Sequence, residues 1–401
     1  MKEKISVLIA EDSRVQAQYM RDVLEQYNYH VCVTHDGEEA WDEFEKKIFP
    51  IVISDWEMPR MDGLELIRRI RSCRRSGYVY TLLVTAKGQK EDLIKGMEAG
   101  ADDFLTKPFD SDELKVRLRA GERILSLEQI LADQNRALKK ANKRMSSDLE
   151  AAAKIQTALL PTVQKDIQGL NYTWFFKPCE ELAGDLFNVF MLDRDKVGFY
   201  VLDVSGHGVP AALLSVTLNQ LLSPNPDQSN LLVQRKGDYF SAFVESPGNV
   251  AEKLNKQFPI DSTAGRYFTL LYGILDLKSH DLRYVSAGHP GIIYLPVNAE
   301  PEMWRIPGLP IGFSDNGHYE NCDFHLNEGD RLVLYSDCAV EMRDKKGEQF
   351  GNERMLEVFR KKGTTTLQQT LGSLVQALDE WSGKIQFEDD LTILVIEIQS
   401  S

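Results

Sequence analysis

The stretch Ile5-Ser6-Val7-Leu8-Ile9-Ala10-Glu11-Asp12 is an apolar run that ends on two acids. With one hydroxyl among its first six residues, it lacks the alternation of a strand wetted on one face and suits a strand covered on both. The same texture returns at Val31-Cys32-Val33, Ile51-Val52-Ile53-Ser54, Thr81-Leu82-Leu83-Val84 and Phe104-Leu105. Helical patterns lie between them at Val15 to Gln26, Gly37 to Lys47, Gly63 to Cys73 and Gln89 to Ala99, and again from Ser111 onward. Continuous apolar strands separated by helices imply a parallel sheet with helices on both faces. Residues 1–122 are therefore expected to form a doubly wound α/β domain around a five-stranded parallel sheet.

The full chain of 401 residues is long enough for two or three domains. Its apolar fraction of 43 % and charged fraction of 27 % lie in the globular range, which excludes disordered and collagen-like classes. The longest apolar runs fall short of the ~20 residues that span a bilayer, and Met1-Lys2-Glu3-Lys4 is not followed by a secretory core. A cytoplasmic protein without membrane insertion is expected. The formal net charge of −14 repels a phosphate backbone, so direct nucleic-acid binding is disfavoured. Cys32, Cys73, Cys179, Cys322 and Cys338 show no CxxC spacing, which argues against a disulfide framework or a cysteine zinc site.

Charge divides the chain. Residues 1–122 hold 19 Lys+Arg against 24 Asp+Glu, residues 123–160 hold 7 against 4, and residues 161–401 hold 21 against 33. The short basic middle piece carries Ile124, Leu131, Leu138, Met145 and Ala152 seven apart, with Leu127, Ala141 and Ile155 between them and Gln134 and Asp148 interrupting. This imperfect heptad seam predicts a helical, coiled-coil-like linker able to pair with a second copy. After Pro161, strand patterns at Val197 to Val204, Phe268 to Leu275, Leu282 to Ser286, Arg331 to Ser336 and Leu391 to Ile398 accompany helical stretches at Ala211 to Leu222 and Leu367 to Ser382. That order predicts an α+β sandwich over residues 161–401.

Polar groups of a wound sheet converge at its strand ends. Glu11 and Asp12 end the first strand, Asp55 the third, Thr85 the fourth and Lys107 the fifth. Clustered carboxylates need a cation, and Mg²⁺ suits an all-oxygen set. A carboxylate beside such an ion can attack a phosphoryl group, with a hydroxyl and an ammonium to hold its oxygens. Glu11-Asp12-Ser13, Asp55 followed by Met58-Pro59-Arg60-Met61-Asp62-Gly63, Thr85-Ala86 and Lys107-Pro108-Phe109 resemble the flavodoxin-like receiver domain of response regulators. The resemblance implies that Asp55 is the phosphoacceptor and that Glu11, Asp12, Asp55 and the Glu57 carbonyl hold Mg²⁺. It makes Thr85 and Lys107 the switch residues, with Phe104 at the aromatic switch position.

The third segment has its own acids at strand edges: Asp185, Asp203, Asp337, and Asp389 with Asp390. With His207 and His289 lacking zinc spacing, an oxygen-rich set selects Mg²⁺ or Mn²⁺. Two such ions clamp a phosphate and generate a hydroxide. Asp203-Val204-Ser205-Gly206-His207-Gly208, Ala287-Gly288-His289-Pro290, Gly308-Leu309-Pro310-Ile311-Gly312 and Asp389-Asp390-Leu391-Thr392 resemble the metal-dependent serine/threonine phosphatases of the SpoIIE type, a branch of the PP2C-like α-β-β-α sandwich. Ile155-Gln156 to Leu159-Leu160-Pro161 resembles that family's lead-in helix. The resemblance implies catalytic Asp203, Asp185, Asp337 and Asp389, two Mn²⁺ or Mg²⁺ ions, and metal contacts from the Val204 carbonyl and Asp390. Asn188 departs from the pattern where many relatives carry a second aspartate. Cys338 stands where they carry glycine and is expected to strain its turn if the backbone there needs φ > 0.

The expectation is a response regulator whose phosphorylation by a sensor histidine kinase controls a protein phosphatase. Its substrate would be a phosphoserine or phosphothreonine protein of the anti-sigma-factor antagonist (STAS) type. A pseudophosphatase that binds its partner without hydrolysis is the alternative. A DNA-binding regulator has little support from an output segment this acidic.

Overall fold

The computed structural model describes residues 4–73, 77–86, 90–161, 167–225, 227–235, 242–260, 265–360, 366–383 and 387–399. The chain divides into two compact units, Met1–Arg144 and Met145–Ser401.

In the first unit the order is β1 (Ser6–Ala10), α1 (Arg14–Gln26), β2 (His30–Thr34), α2 (Gly37–Lys46), β3 (Ile51–Asp55), α3 (Gly63–Ser72), β4 (Tyr80–Thr85), α4 (Lys90–Glu98), β5 (Asp103–Thr106) and the start of α5 (Ser111–Thr157). The strands pair in parallel in the order β2-β1-β3-β4-β5. The unbroken apolar runs follow from two-sided burial. Val7, Ile9, Ile51 and Ile53 join one core with Leu114 and Leu118, while Leu8 and Val52 join another with Ala40, Phe44 and Leu66. Each buried aliphatic side chain contributes about 1.5–3 kcal/mol. Side-chain caps fix two helix starts: Asp36 accepts from the Glu38 and Glu39 amides, and Asp62 accepts from Glu65. The expected helix start at Gln89 lies outside the described residues.

Helix α5 is continuous through residue 122, where a domain boundary was expected, and contributes residues to both units. Leu131, Leu138 and Met145 of the heptad seam are 52 %, 59 % and 62 % exposed.

The second unit adds β6 (Leu170–Lys177), β7 (Leu186–Met191), β8 (Lys196–Val204), α6 (Val209–Leu221), β9 (Val233–Arg235), β10 (Ala242–Val244), α7 (Pro247–Gln257), β11 (Phe268–Asp276), β12 (Asp281–Ala287), β13 (Ile292–Leu295), β14 (Glu302–Trp304), β15 (Cys322–His325), β16 (Arg331–Tyr335), α8 (Cys338–Glu341), α9 (Gly351–Arg360), α10 (Leu367–Ser382) and β17 (Leu391–Ile398). Two antiparallel sheets run β15-β12-β11-β8-β7 and β14-β13-β16-β17-β6. Phe187, Tyr200 and Leu270 of the first share a core with Leu334, Leu394 and Ile396 of the second. On the other side of the second sheet, Val333, Tyr335, Ile393 and Val395 pack with Leu371, Leu374 and Leu378 of α10. Helix α6 lies against β8, and α7 against β11 and β12, completing an α-β-β-α order.

Candidate functional site

At the carboxyl end of the parallel sheet, ligand atoms of Glu11, Asp12 and Asp55 lie within 4.8 Å of one another. Lys107 Nζ donates to Asp55 Oδ2 at 2.8 Å and to Glu11 Oε2 at 2.9 Å, and the Trp56 amide donates to Asp55 Oδ1 at 2.8 Å. Burial, and secondarily the charge of Asp55, raises the Glu11 carboxyl despite the lysine. Three carboxylates against one ammonium leave room in the charge balance for a divalent cation, so this donor set fits Mg²⁺. Thr85 is buried beside the site at the end of β4, and Glu57 is exposed on the loop after Asp55. Phe104 on β5 packs with Trp56, Leu64, Ile67 and Leu83. Gly63 is required by space: a Cβ there would lie 2.1 Å from the Asp55 carbonyl oxygen.

The second cluster is assembled from both sheets of the sandwich. Asp185 immediately precedes β7 and Asp203 is the next-to-last residue of β8, next to each other through the register of Leu186 with Leu202. Asp337 follows β16, and Asp389 and Asp390 precede β17, which pairs with β16. The side chains of Asp185 and Asp203 are within hydrogen-bond reach, and the leading charges acting on both are other aspartates. Burial and then the charges of Asp337, Asp389 and Asp390 push Asp203 up to about 8, and burial with Asp389 pushes Asp337 up to about 6. Asp185, buried outright, is raised well above the carboxylate range by desolvation and then by Asp203. Asp389 is exposed and is raised mainly by desolvation. Mutual repulsion of this kind is relieved by cations, and an all-carboxylate donor set fits Mn²⁺ or Mg²⁺.

Local geometry explains the glycines. A Cβ on Gly184 would stand 2.9 Å from the Val204 carbonyl oxygen, so only glycine lets Asp185 approach the end of β8. Gly206 and Gly208 take φ of 82° and 79° in the turn that follows Asp203. His207 in that turn pairs through Nδ1 with Glu180 at 3.0 Å on the surface. His289 is buried with Nδ1 2.7 Å from the Thr269 hydroxyl, and Thr269 stands opposite Asp203 on β11. Burial lowers the His289 imidazole to about 3, so it is neutral.

Cys338 corrects the expectation of strain. It opens α8 in ordinary helical backbone after Asp337 at φ −61°, and its thiol donates to the Asp389 carbonyl at 3.3 Å. Asn188 lies within β7 opposite Tyr200, its Oδ1 accepting from the Val189 amide.

Sequence reasoning had not singled out several residues that hold the aspartates. Thr392 Oγ1 donates to Asp185 Oδ2 at 2.6 Å, and Ser336 Oγ donates to the Asp390 carbonyl at 3.0 Å. Near the end of α5, Gln156 clamps the Ala183 backbone: Nε2 donates to its carbonyl at 2.7 Å and Oε1 accepts from its amide at 3.1 Å. Gln156 also reaches Ser215 of α6 at 3.2 Å. Gln156 and Thr392 both fall in stretches whose resemblance was noted, which was the available signal.

A parallel-sheet edge carrying three carboxylates and a lysine, and an aspartate cluster drawn from two stacked sheets, define a receiver domain joined to a PP2C-like phosphatase domain. Residues 7–119 match the response regulator receiver domain and residues 193–399 the Stage II sporulation protein E (SpoIIE) family. The chain belongs to the SpoIIE family and is a phosphatase of the PP2C type. It is similar to the phosphoserine phosphatase RsbU of Bacillus subtilis (strain 168), 24 % identical over 66 % of this chain and 73 % of RsbU. It is also similar to the phosphoserine phosphatase RsbP of the same organism, 28 % identical over 48 % of this chain and 45 % of RsbP, so it spans less than half of that relative. The SiaA-PP2C domain of Pseudomonas aeruginosa has the same fold, with a TM-score of 0.55 and 20 % identity over 65 % of this chain and 99 % of that one. Among the described residues no helix is long and apolar enough to cross a membrane.

Proposed function

We propose that phosphorylation of Asp55 controls metal-dependent hydrolysis of a phosphoserine or phosphothreonine protein in the second unit. The observation that carries the reading is the gathering of Asp185, Asp203, Asp337 and Asp389: Asp185 and Asp203 are within hydrogen-bond reach, the charges of Asp337 and Asp389 raise Asp203, and no base is among the leading charges on Asp185 and Asp203. At neutral pH such a cluster either keeps protons or takes up cations, and bound cations relieve the repulsion without protonation. When bound, Mn²⁺ or Mg²⁺ supplies an activated water and neutralises phosphate charge. Asp203, with the Val204 carbonyl, and Asp185, Asp337 and Asp389 would hold these ions. Water adds to phosphorus, the bond to the side-chain oxygen breaks, and that oxygen takes a proton to regenerate the hydroxyl.

In the first unit, Glu11, Asp12, Asp55 and the Glu57 carbonyl would hold Mg²⁺, which would offset the negative charge at the phosphoacceptor. Thr85 and Lys107 contact the new phosphoryl group and Phe104 repacks. The kinship with the phosphoserine phosphatases RsbU and RsbP supports a phosphoserine protein substrate, taken from the family resemblance to be of the anti-sigma-factor antagonist type, and the receiver domain supports a sensor histidine kinase upstream. The exposed Leu131, Leu138 and Met145 support pairing of α5 with a second copy. Gln156 offers the route from linker to site, because its partner Ala183 is two residues from Asp185. The pseudophosphatase alternative had Cys338 as its support, and the helical backbone there withdraws it.

The test is phosphate release from a phosphoserine protein with Mn²⁺, with and without an acyl-phosphate donor. Metal-dependent release that changes on adding the donor is expected. Release that ignores the donor ends the switching claim, and absence of release ends the enzymatic one.

A further inference from the structure

We propose that Asp390 is a positioning residue rather than a metal ligand: it fixes the Cys179–Asp185 loop through backbone amides, and Thr392 then aims the Asp185 carboxylate. The inference rests on the phosphatase reading above. Asp390 is 3 % exposed, and its acceptor positions are taken. Oδ1 accepts from the Cys179 amide at 2.8 Å, and Oδ2 accepts from the Gly184 amide at 2.6 Å and the Asp185 amide at 3.3 Å. The Cys179 thiol bonds the same carboxylate, which accounts for the close approach of Cys179, Asp389 and Asp390. Amide dipoles converging on one carboxylate form an anion cradle, and a cation placed there would face their positive ends. Asp389 differs: it is exposed, and its Oδ1 accepts from the Asp390 amide.

The loop that Asp390 holds has little freedom elsewhere. Gly184 is wedged against the Val204 carbonyl, so the clamped amides set where Asp185 leaves the backbone. Thr392, two residues beyond Asp390 and therefore on the same side of the strand, then fixes Asp185 Oδ2. Asp389-Asp390-Leu391-Thr392 thus divides its labour: Asp389 holds metal, while Asp390 and Thr392 orient a ligand more than 200 residues away, as outer partners of metal ligands do.

The test uses the full-length protein and Asp390→Asn, which keeps the shape but turns an amide toward the donors. In the metal-free protein, amide hydrogen exchange at Gly184 and Asp185 should accelerate at least tenfold. The number of Mn²⁺ ions bound at saturation, counted by electron paramagnetic resonance, should match wild type, with affinity weakened about 10–100-fold. Loss of one bound ion, or unchanged exchange at both amides, overturns the inference. If Asp390→Asn does not fold, Thr392→Val and Thr392→Ser decide. The valine should weaken Mn²⁺ binding about tenfold and the serine restore it to within about threefold, whereas a valine variant equal to wild type overturns the inference. Wild-type protein that binds no Mn²⁺ would sink the phosphatase reading instead, and the exchange measurement would still judge the clamp.

Discussion

Replacing Asp203 by asparagine should stabilise the metal-free protein while removing its response to Mn²⁺. The folded protein holds the Asp203 proton up to about pH 8, whereas the unfolded chain loses it near pH 4. Stability of the metal-free protein therefore falls as pH rises through that window, by up to about 4 kcal/mol at pH 7. Because neighbouring aspartates share the repulsion, about 2–4 kcal/mol is expected on removing the charge. At roughly 2–4 °C per kcal/mol, metal-free Asp203→Asn should melt about 5–15 °C above wild type at pH 7.5. The gap should close toward pH 5, where wild type is protonated. Mn²⁺ at a hundred times its Kd adds about 2.7 kcal/mol to wild type and should add little to the variant. Differential scanning calorimetry at both pH values, with and without Mn²⁺, reads all four quantities. A metal-free variant that melts below wild type at pH 7.5, or a gap that persists at pH 5, refutes the electrostatic reasoning.

Protons and metal should compete at Asp203 and Asp337, so Mn²⁺ affinity should rise about tenfold per pH unit between pH 6 and 8 by titration calorimetry; a flat profile would oppose this. Gly63→Ala drives a Cβ into the Asp55 carbonyl and should destabilise the receiver unit by about 1–3 kcal/mol, seen as a lowered urea midpoint. Gln156→Leu strands the Ala183 amide and carbonyl, costing about 1–3 kcal/mol, and should slow phosphate release at least tenfold while Asp55 still accepts phosphate in a gel-shift assay. Asp55→Asn should erase the difference between phosphate-release rates measured with and without the acyl-phosphate donor. A surviving difference would place the switch elsewhere.

The receiver was legible because two-sided burial leaves continuous apolar strands, and Asp36 and Asp62 cap helices whose starts show locally. The sandwich was less so. Strand β6, Leu170-Asn171-Tyr172-Thr173-Trp174-Phe175-Phe176-Lys177, mixes polar and aromatic residues and becomes a strand by pairing with β17 across the sheet. Helix α7 begins at Ser246-Pro247, a capped start that the short flanking strands obscured. The aspartates could be found as acids beside strands, but their supports could not. Thr392 and Asp390 meet the Asp185 region across more than 200 residues, a relation no local pattern encodes. The strain expected at Cys338 failed because the residue opens a helix.

Strand β17 follows all the other strands in chain order, yet it lies inside its sheet between β16 and β6. During vectorial synthesis the ribosome releases Asp185, Asp203 and Asp337 long before Asp389 and the strand behind it. Asp389 is the last of the proposed metal-binding aspartates to be made, so on that reading dephosphorylation would begin only after β17 has inserted between β16 and β6. On the proposed reading, a frameshift shortly before Asp389 would leave the receiver unit without a complete aspartate set in the second unit, a silent competitor for any kinase that loads Asp55.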